Sequence, residues 1–412
     1  MDINSAKPRI IELIEYENKS FQRDEIPDSV GVKLDDKYKT QVDIEFPNHK
    51  TRQHWKLKAK GWVGYIPVTP ELHLKINPKV PIQNLFGMLE YAYNLKRFRF
   101  LEGLMDCESL ENFYNNLAHI LADKVLERCR KGLYRTYLPK TQQLSYVRGK
   151  LDVQQIIQKP WNVKLKCDYE EHTADVKENQ ILAWTLYIIG ISSLCSERVS
   201  PTVRKAYHAL QGLVSLQPCN AEDCIARQYN RLNEDYRLLH NLCRFFLENS
   251  SPSHEKGNYK TLPFLVDMAH LYELFVAEWL KKNTPQGYFF KQQHPIEISQ
   301  NRHFNIDILL CDAATGKTIA VLDTKYKALE LAGYTDIHQM ISYANTTKCK
   351  QAFLIYPKDL IQPLDIKSDR IRVRSLTFSL DDNLDRAGQT FLKNLFILIS
   401  SEIIPVINKG DR

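Results

Sequence analysis

Asp307, Asp323 and Lys325 are the residues whose types and spacing best fit a single metal-dependent active site. Asp307 lies in the alternating run Phe304 to Leu310, and Asp323 directly follows the apolar run Thr318 to Leu322. Both runs predict β-strands, and the polar residues between them predict a turn. Because side chains alternate across a strand, Asp323 and Lys325 share one face.

Carboxylates inside such apolar runs are costly unless they are paired or bind a metal ion. Two carboxylates on neighbouring strands would repel each other, and a divalent cation relieves that repulsion. Oxygen ligands favour Mg²⁺ or Mn²⁺, and a nearby lysine can hold or deprotonate an attacking water or stabilise charge on a phosphate. The alternative is a hairpin that carries ordinary solvated charges. For an Asp-x-Lys motif taken alone, this alternative would be the favoured interpretation.

The elements predicted around this hairpin favour the active site over solvated charges. They follow the order α-β-β-β-α-β, which is typical of a compact α/β unit with a mixed sheet. Glu273 lies in the middle of the first helix and Gln339 on the second, and each is either a surface residue or a side chain that reaches the site. The predicted elements besides the hairpin are the helix 263–282, a strand near 288–292, the helix 335–346 and the strand 351–356.

The whole chain is predicted to be an α+β multidomain protein with three regions. Residues 1–80 contain short alternating or β-branched runs separated by Pro, Gly and Asn, and they predict a β-rich region. Residues 81–250 have apolar residues at helical spacing and predict a mainly α-helical middle region, in which Asp152 can cap a short helix. After a polar linker at 250–260, residues 251–412 contain the unit with the candidate site.

Basic residues form three candidate contacts to a nucleic-acid backbone, each with a structural alternative. Arg370, Arg372 and Arg374 would line one face of a strand, although a row of charges at a sheet edge explains them equally well. For the lysines at 56–60 the favoured interpretation is a solvated edge strand. The segment 95–100 interleaves basic and aromatic residues, which a charge cluster at a helix end explains as well.

Composition places the chain among ordinary globular proteins and excludes several other classes. The chain has 412 residues, 43% of them hydrophobic, and a formal charge of +7, which permits a nucleic-acid partner without arguing for one. Its nine cysteines include no CxxC pair, which argues against a zinc ribbon and favours free thiols in a reducing cytosol. The N-terminus does not resemble a signal peptide, and no apolar run is long enough to cross a membrane. A cytoplasmic protein is therefore expected.

Asp307 followed by Asp323-Thr324-Lys325 within α-β-β-β-α-β resembles the PD-(D/E)xK nuclease superfamily. More specifically, the chain resembles the McrC family, the nuclease subunits of McrBC-type modification-dependent restriction systems. The segments that carry this resemblance are MLEYAYNL (88–95), VRGKLDV (147–153), ENQIL (178–182), LDTKYK (322–327) and HQMISYA (338–344).

This resemblance implies a Mg²⁺-dependent (or Mn²⁺-dependent) DNA endonuclease with its PD-(D/E)xK domain in residues 251–412. It implies a role for each of six residues. Asp307 and Asp323 would hold the metal with the Thr324 carbonyl as an extra ligand, Lys325 would polarise the water, Glu273 would be a supporting acid and Gln339 a helper.

The resemblance also implies a partner, a hexameric AAA+ motor of the McrB type that hydrolyses GTP or ATP and translocates double-stranded, modified DNA. This chain has no GxxxxGK[ST] phosphate loop, in keeping with a motor on another chain. Residues 1–80 would be the partner-binding region, and the family implies a bacterial or archaeal cytoplasm. Two alternatives stay open, a non-cleaving subunit that regulates the motor and a stand-alone PD-(D/E)xK nuclease.

Overall fold

A computed structural model describes residues 8–95, 109–159, 161–225, 227–250, 262–299, 302–327 and 331–403. The basic residues at 96–100 and the predicted linker at 251–260 lie outside the described residues. In the N-terminal part the elements are β1 (Arg9–Ile14), β2 (Asn18–Phe21), α1 (Asp28–Tyr38), β3 (Val42–Glu45), β4 (Trp55–Ala59), β5 (Trp62–Pro67), β6 (Leu72–Asn77) and α2 (Ile82–Ala92).

The middle of the chain combines helices with a small antiparallel sheet. Its elements are α3 (Leu110–Lys131), β7 (Thr136–Leu144), β8 (Lys150–Leu151), α4 (Val153–Gln158), β9 (Leu165–Thr173), α5 (Lys177–Ile191), α6 (Ser200–Leu210), a 3-10 helix (Ala221–Cys224) and α7 (Tyr236–Asn249). The C-terminal elements are β10 (Phe264–Asp267), α8 (Met268–Lys282), β11 (Tyr288–Ser299), β12 (Arg302–Asp312), β13 (Thr318–Thr324), α9 (Tyr334–Thr347), β14 (Gln351–Tyr356), β15 (Asp365–Ser368), β16 (Ile371–Thr377) and α10 (Leu384–Ile403).

The predicted order α-β-β-β-α-β is confirmed, from α8 to β14. These strands belong to a six-stranded mixed sheet with the order β11-β12-β13-β14-β16-β15. β13, β14 and β16 are parallel neighbours, whereas β11, β12 and β13 are joined antiparallel. All six residues of β14 are buried, because an inner parallel strand is covered on both faces, and all of them except Gln351 are apolar or aromatic. α9 packs on one face through Met340 and Ala344, which join a core with Val321 and Leu354.

The chain divides into two compact units, Met1–Leu110 with Phe264–Arg412, and Glu111–Pro263. The first unit joins the N-terminal strands to the six-stranded sheet region, because β10 extends the sheet β1-β6-β5 and because α2 packs against α8. These units join α2 and the C-terminal region to the N-terminal strands, and the predicted division at residues 80 and 250 stays a prediction. Mixed helices and several sheets confirm the α+β class.

Several local predictions were wrong. The predicted helix 263–282 begins only at Met268, because Phe264 to Asp267 pair with β5 as a strand and Asp267 then caps α8. The middle region also contains the strand β9, which pairs with β7 and β8. This strand was not predicted because its sequence is polar. α1 was not predicted either, and β4, which carries Lys56 and Lys58, is the central strand of the sheet β2-β4-β3 and not an edge.

In the mainly α-helical middle region, the helical spacing between Glu222 and Leu247 corresponds to two separate helices. A 3-10 helix ends at Cys224, and α7 begins at Tyr236. Between them, the Asn233 side chain accepts a hydrogen bond from the Asn230 backbone, one of the local bonds by which asparagine competes with helix formation. The predicted cap at Asp152 is confirmed, since its carboxylate accepts the Gln155 N–H. Within the described residues, no helix is long and apolar enough to cross a membrane.

Candidate active site

The register of β12 and β13 brings the two acids together. Ile308 pairs with Leu322 in this antiparallel ladder, and Asp307 and Asp323 are the next positions along the two strands. Asp323 is only 2% exposed, near the end of a strand in which the three preceding residues are fully buried. The alternating run and the apolar run of the sequence therefore place both carboxyl groups at one end of the hairpin.

Asp307 is held by the residue that separates Asp323 from Lys325. Its Oδ2 accepts the backbone N–H of Thr324 at 2.9 Å and the Thr324 hydroxyl at 3.1 Å. Burial, and then repulsion from Asp323 and Glu273, raises the pKa of Asp307 to about 7, although the Thr324 bonds oppose that shift. The predicted ligand at Thr324 is its carbonyl; the contacts that the structure adds are made by its N–H and hydroxyl.

Lys325 forms a close ion pair with Asp323. Its Nζ lies 2.7 Å from Asp323 Oδ2 and 3.8 Å from Asp336 Oδ1. Burial raises the pKa of Asp323, with attraction from Lys325 opposing it and repulsion from Asp336 adding to it. Burial alone would lower the pKa of Lys325, but attraction from Asp323 and Asp336 outweighs it, so that the pKa lies above its ordinary value. The lysine is therefore a cation at neutral pH.

The two helices bring the remaining predicted residues to the site. Glu273 on α8 has a 19% exposed side chain, and its carboxylate lies 3.7 Å from His270 Nδ1. Its charge acts on both aspartates, since it raises the pKa of Asp307 and of Asp323 by repulsion. Gln339 on α9 accepts Lys325 Nζ at 3.5 Å through Oε1. The roles assigned to Glu273 and Gln339 stay predictions; what the structure shows is the contact of Gln339 with Lys325 and the effect of the Glu273 charge on both aspartates.

Asp336 and Tyr343 were missed by the sequence analysis. Asp336 is 8% exposed, and the Tyr343 hydroxyl accepts the Gln339 amide at 2.6 Å. Residues 336, 339 and 343 follow the i, i+3, i+7 spacing of one helix face. That spacing is a signal that could have found both residues once Gln339 was a candidate.

The predicted row of DNA-contacting arginines needs a correction. Arg374 is 3% exposed, donates to the Gln351 side chain and the Leu398 carbonyl, and lies 5.0 Å from the centre of the Phe353 ring. It is a buried cation inside the sheet region and cannot reach a backbone phosphate. Arg372 donates twice to Asp365, at 2.7 and 2.6 Å, and Arg370 lies in the turn before β16. A DNA contact stays a prediction for these two residues only.

The acid pair has the chemistry of a Mg²⁺ site. Among the residues that the structure describes, no group of three or more His, Cys, Asp or Glu side chains could hold a metal ion. Mg²⁺ does not need one, because it keeps several waters and is bound through one or two carboxylates. Asp307 is partly buried and Asp323 is buried, and a divalent cation would relieve the repulsion between them. Among the described residues, moreover, Asp323 Oδ2 has no partner other than the Lys325 ammonium, 2.7 Å away. These donors fit Mg²⁺ or Mn²⁺.

The fold and the site together define a class of protein. It is an α+β chain in which two acids and a lysine lie at the end of a hairpin in a mixed sheet. The family described as McrBC 5-methylcytosine restriction system component matches residues 57–357. This match covers more than half of the chain, and the chain therefore belongs to that family.

Two relatives illustrate the likeness. The Type IV methyl-directed restriction enzyme EcoKMcrBC of Escherichia coli (strain K12) is 23% identical over 227 residues, which are 51% of this chain and 63% of that protein. The match thus spans less than two thirds of that relative. A chain in the half-complex of the tetradecameric assembly of Thermococcus gammatolerans McrB AAA+ hexamers with bound McrC has a TM-score of 0.54 at 20% identity. The alignment covers 94% of the present chain and 100% of the Thermococcus gammatolerans chain, and the two chains share the fold.

Proposed function

We propose that this protein is a Mg²⁺-dependent DNA endonuclease subunit of an McrBC-type restriction system, with a PD-(D/E)xK active site in its six-stranded sheet. The observation that carries the proposal is the group formed by Asp307, Asp323 and Lys325 at one end of the hairpin. Two acids that repel each other, one partly buried and one buried, reduce stability in a purely structural hairpin even beside a lysine in an ion pair. In a nuclease the same acids bind the metal and the same lysine faces the phosphate.

Asp307 and Asp323 would hold the Mg²⁺, which supplies charge for the scissile phosphate and lowers the pKa of the attacking water. Lys325 is a cation at neutral pH, which favours holding the water or stabilising charge on the phosphate over removing a proton. Gln339 orients the Lys325 ammonium, and Tyr343 orients Gln339 in turn. Glu273 adds negative charge near both acids, which strengthens the attraction for a cation.

The partner that we propose is a hexameric AAA+ NTPase of the McrB type, which this subunit stimulates and which activates cleavage of modified double-stranded DNA. Support comes from family membership and from the relative that was solved with McrB AAA+ hexamers. The sequence itself contains no phosphate loop, so the nucleotide would be hydrolysed by the partner. The N-terminal region remains the proposed docking region.

The test is plasmid cleavage by wild type, Asp323→Asn and Asp312→Asn, with Mg²⁺ or EDTA, and with or without the partner and its nucleotide. Asp312 is a matched control, because it is an exposed acid on the same hairpin whose bonds with Thr315 an asparagine can keep. We expect Asp323→Asn to lose at least about 10³-fold in cleavage rate, as for loss of a metal ligand, and Asp312→Asn to stay within about twofold.

Three outcomes are informative. Cleavage that requires Mg²⁺, the partner and Asp323 supports the proposal in full. If Asp323→Asn cuts as fast as wild type, the active site lies elsewhere. If nothing cuts while the chain still raises the NTPase rate of the partner, the protein is a regulatory subunit.

A further inference from the structure

A buried glutamate lies at the end of the first N-terminal strand, in the same compact unit as the candidate site. Glu15 is fully buried, at 0% exposure. Its backbone N–H donates to the Asn77 carbonyl at 3.0 Å, and it forms a β-bridge with Ala59. The position of Glu15 is therefore fixed by two strands, β4 and β6, that belong to different N-terminal sheets.

The side chain of Glu15 contacts the residue that follows the candidate catalytic lysine. Glu15 Oε2 accepts the hydroxyl of Tyr326 at 3.1 Å. The next residue, Tyr16, donates its own hydroxyl to the Tyr326 carbonyl at 3.4 Å. Two consecutive residues of the N-terminal segment thus hold Tyr326 by its side chain and by its backbone.

Tyr326 lies where such a hold affects the site. β13 ends at Thr324, and the Lys325 N–H makes one further ladder bond, to Ile355 at 2.8 Å. The Lys325 carbonyl accepts the Lys327 N–H at 2.9 Å, and between these two residues lies Tyr326, which is 8% exposed. The Tyr326 ring also lies 5.9 Å from the ring of Tyr272, the residue before Glu273 on α8. Glu15 therefore supports, through Tyr326, the segment that carries Lys325. The same tyrosine contacts the helix that carries Glu273.

A purely structural role would be served better by an apolar side chain. Burial raises the pKa of Glu15 to about 7, and its Oε1 has no hydrogen-bond partner among the described residues. A carboxyl group in these surroundings costs stability at neutral pH. A tyrosine hydroxyl on a carboxylate, in contrast, is a strong and directional bond that fixes the phenol in one place.

We propose that Glu15, with Tyr16, is a positioning residue for the nuclease site, which acts by anchoring Tyr326 and thereby holds Lys325 against Asp323. The N-terminal segment is then coupled directly to the catalytic lysine. The consequence for cleavage rests on the proposed function, whereas the anchoring of Lys325 does not. The two are tested separately.

The first experiment measures how fast Lys325 is acylated by a small amine-reactive ester, with peptide mass spectrometry of the full-length protein. The variants are Tyr326→Phe, which removes only the hydroxyl, and the double variant Glu15→Leu/Tyr326→Phe. The double variant replaces both polar partners by apolar groups and gives up only the long 3.5 Å bond from the Lys79 N–H to Glu15 Oε2, so its melting temperature should stay close to that of wild type. Glu12→Gln is the control, because Glu12 is an exposed acid on the same strand that pairs with Lys75 at 3.6 Å.

We expect Lys325 to be acylated at least about fivefold faster in both Tyr326 variants, because the ammonium would leave its buried ion pair more often. Lys166 serves as an internal reference, and its rate should not change. A structural role alone predicts a lower melting temperature with faster acylation at many lysines. Unchanged acylation of Lys325 in the folded double variant would overturn the proposal.

The second experiment measures cleavage by the complex of the same variants with the partner. We expect the rate constant at saturating DNA to fall about tenfold in both Tyr326 variants, with the dissociation constant for DNA unchanged, because a displaced catalytic group slows the chemical step. Faster acylation of Lys325 in a protein whose wild type does not cut would support the anchoring and refute the nuclease function. Cleavage at the wild-type rate by variants with a released Lys325 would refute the coupling to catalysis.

Discussion

Two Asp–Lys ion pairs of this molecule have nearly the same length, but the pKa values of their aspartates are shifted in opposite directions. Asp323 and Lys325 lie 2.7 Å apart in one compact unit, and Asp152 and Lys166 lie 2.9 Å apart in the other. Yet the pKa of Asp323 is raised, because burial dominates, whereas that of Asp152 is lowered, because the bond with Lys166 dominates. The distance between two charges therefore does not tell whether they stabilise the fold or serve a site.

The difference lies in the surroundings. The Asp323 side chain is 3% exposed and has Asp336 and Glu273 as acidic neighbours, whereas that of Asp152 is 28% exposed and also caps α4. Water and a helix N-terminus stabilise the second carboxylate, and neither is available to the first. Around Asp323, several acids surround one lysine, so that negative charge remains uncompensated. Such an arrangement is typical of a site that binds a further cation.

The largest effect is expected from removing the lysine of each pair. Lys325→Met should reduce the rate of DNA cleavage by about 10²–10³-fold, because it removes the positive charge that lies against Asp323. Lys166→Met should stay within about twofold, because its pair serves local structure. Single-turnover plasmid cleavage with saturating partner and nucleotide measures both. Equal losses in the two variants would abolish the distinction between the pairs.

A second prediction concerns stability and its dependence on pH. Asp307 ionises near 3.8 in the unfolded chain and near 7 in the folded one, so stability falls as the pH rises through this window and the full penalty applies above it. In EDTA, Asp307→Asn should therefore be more stable than wild type by about 2–4 kcal/mol at pH 8 and equally stable below pH 4. An asparagine can still accept the Thr324 bonds.

Urea unfolding at pH 4, 6 and 8 measures this difference, with Asp312→Asn as the control for loss of an exposed acid. Added Mg²⁺ should then stabilise wild type and have little effect on Asp307→Asn, because a ligand that binds only the folded state raises its stability. An Asp307→Asn variant that is less stable at pH 8 would show that Asp307 is a structural acid. Mg²⁺ that stabilises both proteins equally would place the ion elsewhere.

The sequence predicted the hairpin that carries Asp307 and Asp323, because alternating and apolar runs report burial directly. It also predicted the order of elements around the hairpin, since those helices and strands are long and regular. Asp336 was missed because its role depends on the rotation of α9 about its axis, which only packing fixes. Burial of Arg374 could not be read from an alternating basic strand either, since it depends on α10 and on a ring of the neighbouring strand.

Long-range partners were beyond the reach of local patterns. The sequence of β10 predicts the first turn of a helix. It forms a strand because it pairs with β5, which lies some 200 residues earlier. Glu15 and Tyr326 are 311 residues apart, and nothing in either local sequence indicates the other. Local propensity is weak compared with such tertiary pairings. Local patterns therefore predicted the acids and the lysine of the site but not the residues that support them.

The smallest effect is expected at the exposed pair. Lys166→Met should change the melting temperature by no more than about 1 °C, because a solvated ion pair gains little and salt screens it. Asp152→Ala should lower it further, because this change also removes the carboxylate that accepts the Gln155 N–H at the start of α4. Thermal unfolding in 0.05 and 0.5 M KCl separates the two contributions, since the cap survives salt and the ion pair does not. If Lys166→Met destabilised the protein as much as Asp152→Ala at both salt concentrations, the exposed pair would resemble the buried one, and burial would not be what distinguishes them.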